Sequence, residues 1–198
     1  MRTLKKFAVL AVAVFAISVV GVASASAAQF TSSTETGNLE GSALNTQEFT
    51  TNGGVVKCTA AKTTGAFKGT AMGSVFGSST QEVTVNYSGC TAFGFASVSI
   101  SPATYEFTPT TKQVHILNTI TISVPLGGCT VTVPPTKTAL SEVSFENAGT
   151  SNIKEISNVT GITYTSSGGL CGSSGSNGIY KGNNEVHATN GATLRFDA

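Results

Sequence analysis

Tryptophan is absent from this 198-residue sequence, histidine occurs only twice, and charged residues make up 11% of it. The charges nearly cancel, leaving a formal net charge of +1. Such a chain lacks the basic surface that a nucleic-acid-binding protein requires and the acidic bias of a disordered tail. Beyond the first 28 residues it also lacks long apolar runs, which excludes a polytopic membrane protein.

The first 28 residues have the pattern of a secretory signal peptide. Arg2, Lys5 and Lys6 form a basic start, residues 7–22 are almost entirely apolar, and residues 23–28 (ASASAA) offer small-residue cleavage sites. We predict cleavage after Ala28 or one residue earlier. The alternative is an uncleaved membrane anchor, because the apolar run nearly spans a bilayer. With cleavage, the mature protein is predicted to be secreted or at the cell surface, without membrane attachment.

The mature chain is rich in hydroxyl groups. Without residues 1–28 it holds 8 basic and 10 acidic residues, a net charge of −2, together with 29 threonines and 20 serines. Threonine is β-branched, which suits a pleated strand and disfavours a helix. The composition therefore favours β-structure.

Apolar and polar residues alternate with a period of two. Val83, Val85 and Tyr87 alternate with polar residues. The same alternation recurs in four other segments, at residues 120–124, 129–133, 143–146 and 162–165. Each segment is typical of a strand with one face on a core and the other in water. We predict an all-β fold, an antiparallel β-sandwich or barrel-like structure of about 10–12 short strands.

No charged or proline-rich linker divides the mature chain. Residues 55–198 are therefore predicted to form a single β-sandwich domain, a length that can bury one core. Residues 29–54 are polar and dotted with glycine, and we predict them to be partly loose.

Cys58, Cys90, Cys129 and Cys171 lie in the mature region, far apart and outside any CxxC pair. The two histidines are isolated in the sequence, so the ligand spacing of a zinc site is absent. An exported chain with four cysteines favours two disulfides. Three connectivities exist, and we favour the sequential one, Cys58–Cys90 and Cys129–Cys171, because each bridge then closes a module of similar length.

Six segments resemble a family of short exported bacterial proteins. They are YSGC at 87–90, TYEF at 104–107, GCTVTVPP at 128–135, VSFEN at 143–147, GITY at 161–164 and NGIYKG at 177–182. The resemblance implies a secreted, disulfide-bearing β protein and supplies no active site. Relatives with a further cysteine pair near Ala103 and Leu117 would have a bridge that this chain cannot form.

Catalytic motifs are weak throughout. The glycine-rich stretch at 168–178 lacks the Gly-Lys-Ser/Thr ending of a phosphate loop and the Gly-x-Ser-x-Gly of a nucleophile elbow. His115 and His187 have only one mature aspartate to orient them, Asp197 beside the C-terminus. No calcium loop or marked pair of carboxylates is present. We therefore predict a non-enzymatic protein with no cofactor and no metal, and a secreted hydrolase ranks third among the functions.

Aromatic residues suggest the only candidate contacts. Phe93 and Phe95 flank a glycine after Cys90, and Tyr180 lies in a predicted strand near the end of the chain. The leading hypothesis is a structural or interaction domain whose partner is an extracellular protein or polysaccharide. The alternative is a carbohydrate-binding module, in which Phe93, Phe95 and Tyr180 would be exposed in a row.

Overall fold

The computed structural model describes residues 28–69, 75–76 and 80–198. The predicted signal peptide lies outside these residues, except for Ala28. No helix within the described ranges has the length and apolarity needed to cross a membrane.

The described chain forms fifteen β-strands and one short 3₁₀ turn, Leu126–Gly128. The strands are β1 (Gln29–Ser32), β2 (Thr36–Ala43), β3 (Gln47–Thr51), β4 (Gly54–Lys68), β5 (Val75–Phe76), β6 (Gln81–Ala92), β7 (Ala96–Ile100), β8 (Ala103–Thr108), β9 (Gln113–Ile116), β10 (Ile120–Val124), β11 (Cys129–Val133), β12 (Val143–Ala148), β13 (Asn152–Ser167), β14 (Gly175–Ala188) and β15 (Leu194–Asp197). The all-β prediction is confirmed. The count exceeds the expected 10–12, and β4, β6, β13 and β14 are long rather than short.

The strands pair into one closed antiparallel ring. Starting at β4, the hydrogen-bonded neighbours are β6, β7, β10, β11, β13, β14 and β3, and β3 pairs again with β4. Further along the long strands, β2 lies between β4 and β14 and pairs with both. On the opposite side, β6 pairs with β8, β8 pairs with β9, and β12 pairs with β13. A two-way bridge between Val114 and Leu140 joins β9 to the chain that leads into β12. The ring is thus the barrel-like form of the predicted fold.

Residues 29–54 belong to this architecture. They form β1, β2 and β3, where their composition predicted a partly loose segment. The physical reason is pairing: β2 and β3 hydrogen-bond to both β4 and β14, so their backbone groups are satisfied despite polar side chains.

Burial follows the predicted alternation. Val83 and Val85 are buried on β6 while Glu82 is exposed, and β10 and β11 bury every second residue. The buried apolar side chains fill the inside of the ring as one continuous core.

Strand β13 places two polar residues inside that core. Its inward positions are Ile153, Glu155, Ser157 and Val159, all buried. The pairing with β14 then shifts register between Val159 and Ile162. Gly161 lies within the shift and has a φ of 73°, which glycine adopts without steric cost.

Both predicted disulfides are confirmed. Cys58 and Cys90 face each other across β4 and β6 and are 32 residues apart, whereas Cys129 and Cys171 are 42 residues apart. Both bridges lie towards the end of the ring where residues 52–53, 93–95, 125–128 and 168–174 connect successive strands. We call this end the loop end.

A small three-stranded sheet, β15-β1-β5, packs at the other end. Asn147 Nδ2 donates to the Phe196 carbonyl, and Phe30 meets the ring of Phe145 edge-on at 4.9 Å. An aromatic cluster therefore closes the end of the ring opposite the loop end.

Candidate functional site

The predicted contacts Phe93 and Phe95 lie at the loop end and are exposed, by 41% and 73% respectively. Tyr180 lies elsewhere: it is half-buried on β14, and its hydroxyl donates to Gln47 Oε1 at 2.5 Å. The structure thus brings the two phenylalanines together and does not bring Tyr180 into a row with them.

The turn that carries these rings has an unusual backbone. Phe93 has a φ of 55° and Gly94 a φ of 83°, and the Phe95 amide donates to the Ala92 carbonyl at 3.1 Å. Two central residues with positive φ are typical of a type I′ turn, in which asparagine or glycine is normally found. A bulky aromatic residue in this conformation is strained, and such strain concentrates at functional sites.

Other apolar side chains are exposed beside this turn. Leu126 and Leu170 are about half-exposed at the loop end, and a cleft of about 20 Å³ is lined by both Phe93 and Leu170. The four connections at the loop end contain no charged residue. The loop end is therefore an uncharged surface with exposed apolar side chains.

Two cavities lie inside the ring, between residues that the structure describes. The first, of about 70 Å³, is lined mainly by apolar side chains, together with the tyrosines 87, 105 and 180. The second, of about 60 Å³, lies towards Phe30 and Phe145. Val85, Phe107, Glu155 and Asn184 line both cavities, so the two spaces adjoin at Glu155 and Asn184.

Glu155 is the only carboxyl group buried among the described residues, with 6% of its surface exposed. Asn184 Nδ2 donates to Glu155 Oε2 at 2.7 Å, and Ser157 Oγ donates to Glu155 Oε1. These side chains converge because Glu155 and Asn184 are direct partners in the pairing of β13 with β14. Ser157 follows Glu155 by two residues and so shares its inward face.

A chain of tyrosine hydroxyls lies in the wall of the first cavity. The hydroxyls of Tyr87 and Tyr105 are 2.9 Å apart, and Tyr87 donates to the Tyr180 hydroxyl at 3.4 Å. Gln47, which accepts from Tyr180, is itself held through Nε2 by the Asn45 and Asn183 carbonyls. The chain therefore continues to the backbone and is fixed in place.

Electrostatics in this interior favour neutral groups. Desolvation raises the pKa of Glu155, although the hydrogen bonds from Ser157 and Asn184 act in the opposite direction. Burial likewise raises the pKa of each hydroxyl of Tyr87, Tyr105 and Tyr180 well above its ordinary value. Lysine, arginine and histidine do not occur among the described residues that line either cavity. Glu155 thus lacks a cationic partner.

Two buried polar atoms beside the second cavity lack hydrogen-bond partners among the residues that the structure describes. They are Asn184 Oδ1 and Thr63 Oγ1, in side chains that are 6% and 3% exposed. A buried polar atom without a partner costs about 1–3 kcal/mol, so each such atom requires an explanation.

Neither predicted histidine reaches this interior. His115 is half-exposed on β9 and His187 is exposed on β14, and neither lines a cavity. Across the part of the chain that the structure describes, no three metal-ligating side chains are grouped together. The interior brings the carboxyl group of Glu155 to Ser157 and Asn184, and within the described ranges no histidine joins them.

Sequence reasoning missed Glu155, Ser157 and Asn184. The signal in the sequence was the alternation of side chains along β13. The polar Glu155 and Ser157 occupy the same alternate positions, and therefore the same face, as the apolar Ile153 and Val159. An inward polar pair between apolar residues indicates an interior site once the strand itself is recognised.

Comparison with known proteins identifies no relative: no protein-family model, curated protein or solved structure matches this chain.

Proposed function

We propose that the mature chain is a non-enzymatic, exported interaction domain that binds a small molecule inside its closed ring. The observation that carries this proposal is the pair of adjoining cavities whose common boundary is formed by buried Glu155 and Asn184. An eight-stranded closed sheet has an interior just wide enough for side chains or for one small ligand. Ligand sites are typically apolar, with a few convergent polar groups.

The cost of burying Glu155 supports a binding role. A buried carboxyl group without a countercharge is expensive, and an apolar residue would pack the same position more favourably. Buried acids in cavities whose pKa is shifted by desolvation are enriched at functional sites. Binding fits better than hydrolysis because Glu48, Glu155 and hydroxyl groups line the cavities, whereas no histidine does so among the described residues.

Export is supported by the predicted leader and by the two disulfides, which persist in oxidising compartments. N-terminal sequencing of protein from the culture medium tests this part of the proposal. The expected mature chain begins at Gln29 or Ala28, whereas a chain that retains Met1 in the membrane fraction would contradict it.

The interior site is tested with neutral probes, xenon and 1-butanol, followed by NMR of the full mature chain. Dry apolar cavities bind such probes. We expect saturable shifts in residues that line the first cavity, and loss of these shifts in Val133→Phe, which fills it. Thr132→Phe on the outer face of the same strand is the matched control. Absence of saturable shifts in the native chain would reject an interior ligand site.

A second candidate function is recognition of an extracellular polysaccharide at the loop end. It is favoured by the exposure of Phe93 and Phe95 on one strained turn. A glycan array tests it: retention by the native chain that is lost in Phe95→Ser supports it, and absence of retention removes it.

A further inference from the structure

The interior of the ring lacks one partner that its chemistry requires. Glu155 accepts hydrogen bonds from Ser157 and Asn184, but no cation faces it from the described strands. The other groups that face it electrostatically are the hydroxyls of Tyr87, Tyr105 and Tyr180, which are neutral. A positive charge is therefore the component missing from this site.

We propose that the interior site binds a small primary alkylammonium ion, with its ammonium group at Glu155 and the unpartnered Asn184 Oδ1. The inference rests on the proposed function, since it names the chemical class of the interior ligand.

Hydrogen bonding favours an ammonium group over other cations. A primary ammonium has three donors and no acceptor. Glu155 supplies carboxylate oxygens, and Asn184 Oδ1 is a buried acceptor with no partner. The amide orientation is fixed because Asn184 Nδ2 already donates to Glu155 Oε2, leaving Oδ1 available. Both Glu155 and Asn184 are among the residues that line the two cavities.

The surrounding side chains suit the remainder of such a ligand. Tyr87, Tyr105, Tyr180 and Phe107 line the first cavity, and aromatic faces attract organic cations. Most of the other lining residues are apolar and can contact an alkyl chain. A cavity of about 150 Å³ holds benzene. The two adjoining cavities, of about 70 and 60 Å³, therefore fit a chain of a few carbons that extends across both.

Binding of an ammonium ion is also expected to change the protonation of Glu155. An ammonium ion favours the ionised form of Glu155, whereas burial in the free protein favours the protonated form. Below the raised pKa of Glu155, binding therefore releases a proton from that carboxyl group. A neutral ligand in the same cavity has no such effect.

The experiment compares n-butylamine, 1-butanol and butyrate, which have similar size and different charge, by calorimetry on the full mature chain. We expect butylamine to bind at least tenfold more tightly than 1-butanol and butyrate to bind least. Glu155→Gln should remove the preference for butylamine over 1-butanol. Glu40→Gln, on the exposed face of β2, is the matched control for loss of one carboxylate.

Calorimetry of the native chain in two buffers of different ionisation enthalpy, at a pH below the folded-state pKa of Glu155, measures the proton release independently of any variant. Release of protons with butylamine and none with 1-butanol is expected. If 1-butanol binds and butylamine binds no better, this inference is overturned while the interior ligand site stands. If none of the three probes binds, the proposed function fails as well.

Discussion

The most direct consequence of the buried Glu155 is a dependence of stability on pH that a single substitution should abolish. Desolvation raises the pKa of this carboxyl group above its ordinary value of 4.5 in the folded chain. The change that tests it is Glu155→Gln, which keeps the shape and removes the charge. A glutamine at this position can still accept from Asn184 and donate to the Ser157 hydroxyl, so the local network survives.

The direction follows from proton binding. Between pH 4.5 and the raised pKa, the fold keeps the Glu155 proton while the unfolded chain has lost it. The contribution to stability is therefore complete below pH 4.5 and is lost as the pH rises through the folded-state pKa. Within that window, one proton corresponds to a fall of about 1.4 kcal/mol per pH unit in the free energy of unfolding. For a domain of this size, the fall lowers the melting temperature by about 3–5 °C per pH unit.

The assay is urea unfolding of the oxidised mature chain over a pH series, for the native sequence, Glu155→Gln and Glu40→Gln. Subtracting the stability curve of a variant from that of the native chain cancels the contributions of the other ionisable groups, because the two proteins differ only at the substituted residue. The native chain is expected to lose stability relative to Glu155→Gln as pH rises and to follow Glu40→Gln closely. A difference between native and Glu155→Gln that stays constant with pH would refute the reasoning.

Three other variants test separate features. Phe93→Asn should stabilise the fold by about 1 kcal/mol, because asparagine tolerates positive φ, and an unchanged or lower urea midpoint would contradict a strained turn. Joint replacement of Cys129 and Cys171 by serine should cost about 4 kcal/mol for the 42-residue loop, and a loss below 1 kcal/mol on urea unfolding would contradict this contribution. Thr63→Val removes a buried hydroxyl without a partner and should be neutral or stabilising by about 1 kcal/mol, so a clear drop in melting temperature would show that the hydroxyl is bonded.

Local alternation explains why the strands were predictable. Val83 and Val85 on β6, and Ile120 and Ile122 on β10, are buried at the expected positions because period two depends only on the pleat of each strand. The sequential disulfides were predictable for a related reason. Neighbouring strands in this ring are mostly neighbours in sequence, so each cysteine finds its partner in a nearby strand or in the connection that follows it.

Closure of the ring and the interior site were not predictable from local patterns. Pairing of β2 and β3 with β14 joins segments at opposite ends of the mature chain, and no short-range pattern encodes it. The site depends on this architecture: Tyr87 and Tyr180, which belong to distant strands, meet only in the closed ring. Glu155 was missed because a lone acidic residue in a strand usually faces water.

The closure of the ring between β14 and the early strands β2 and β3 has a kinetic consequence. While the chain is being synthesised from its N-terminus, the edges of β2 and β3 that pair with β14 in the fold stay unpaired until β14 has emerged. The last pairing therefore has a large sequence separation, which slows folding and prolongs exposure to aggregation. The cross-strand Cys58–Cys90 pair needs only β4 and β6 and can oxidise much earlier. Pulse-labelling of thiols during refolding should find this bridge closed before amides of β14 acquire protection from exchange.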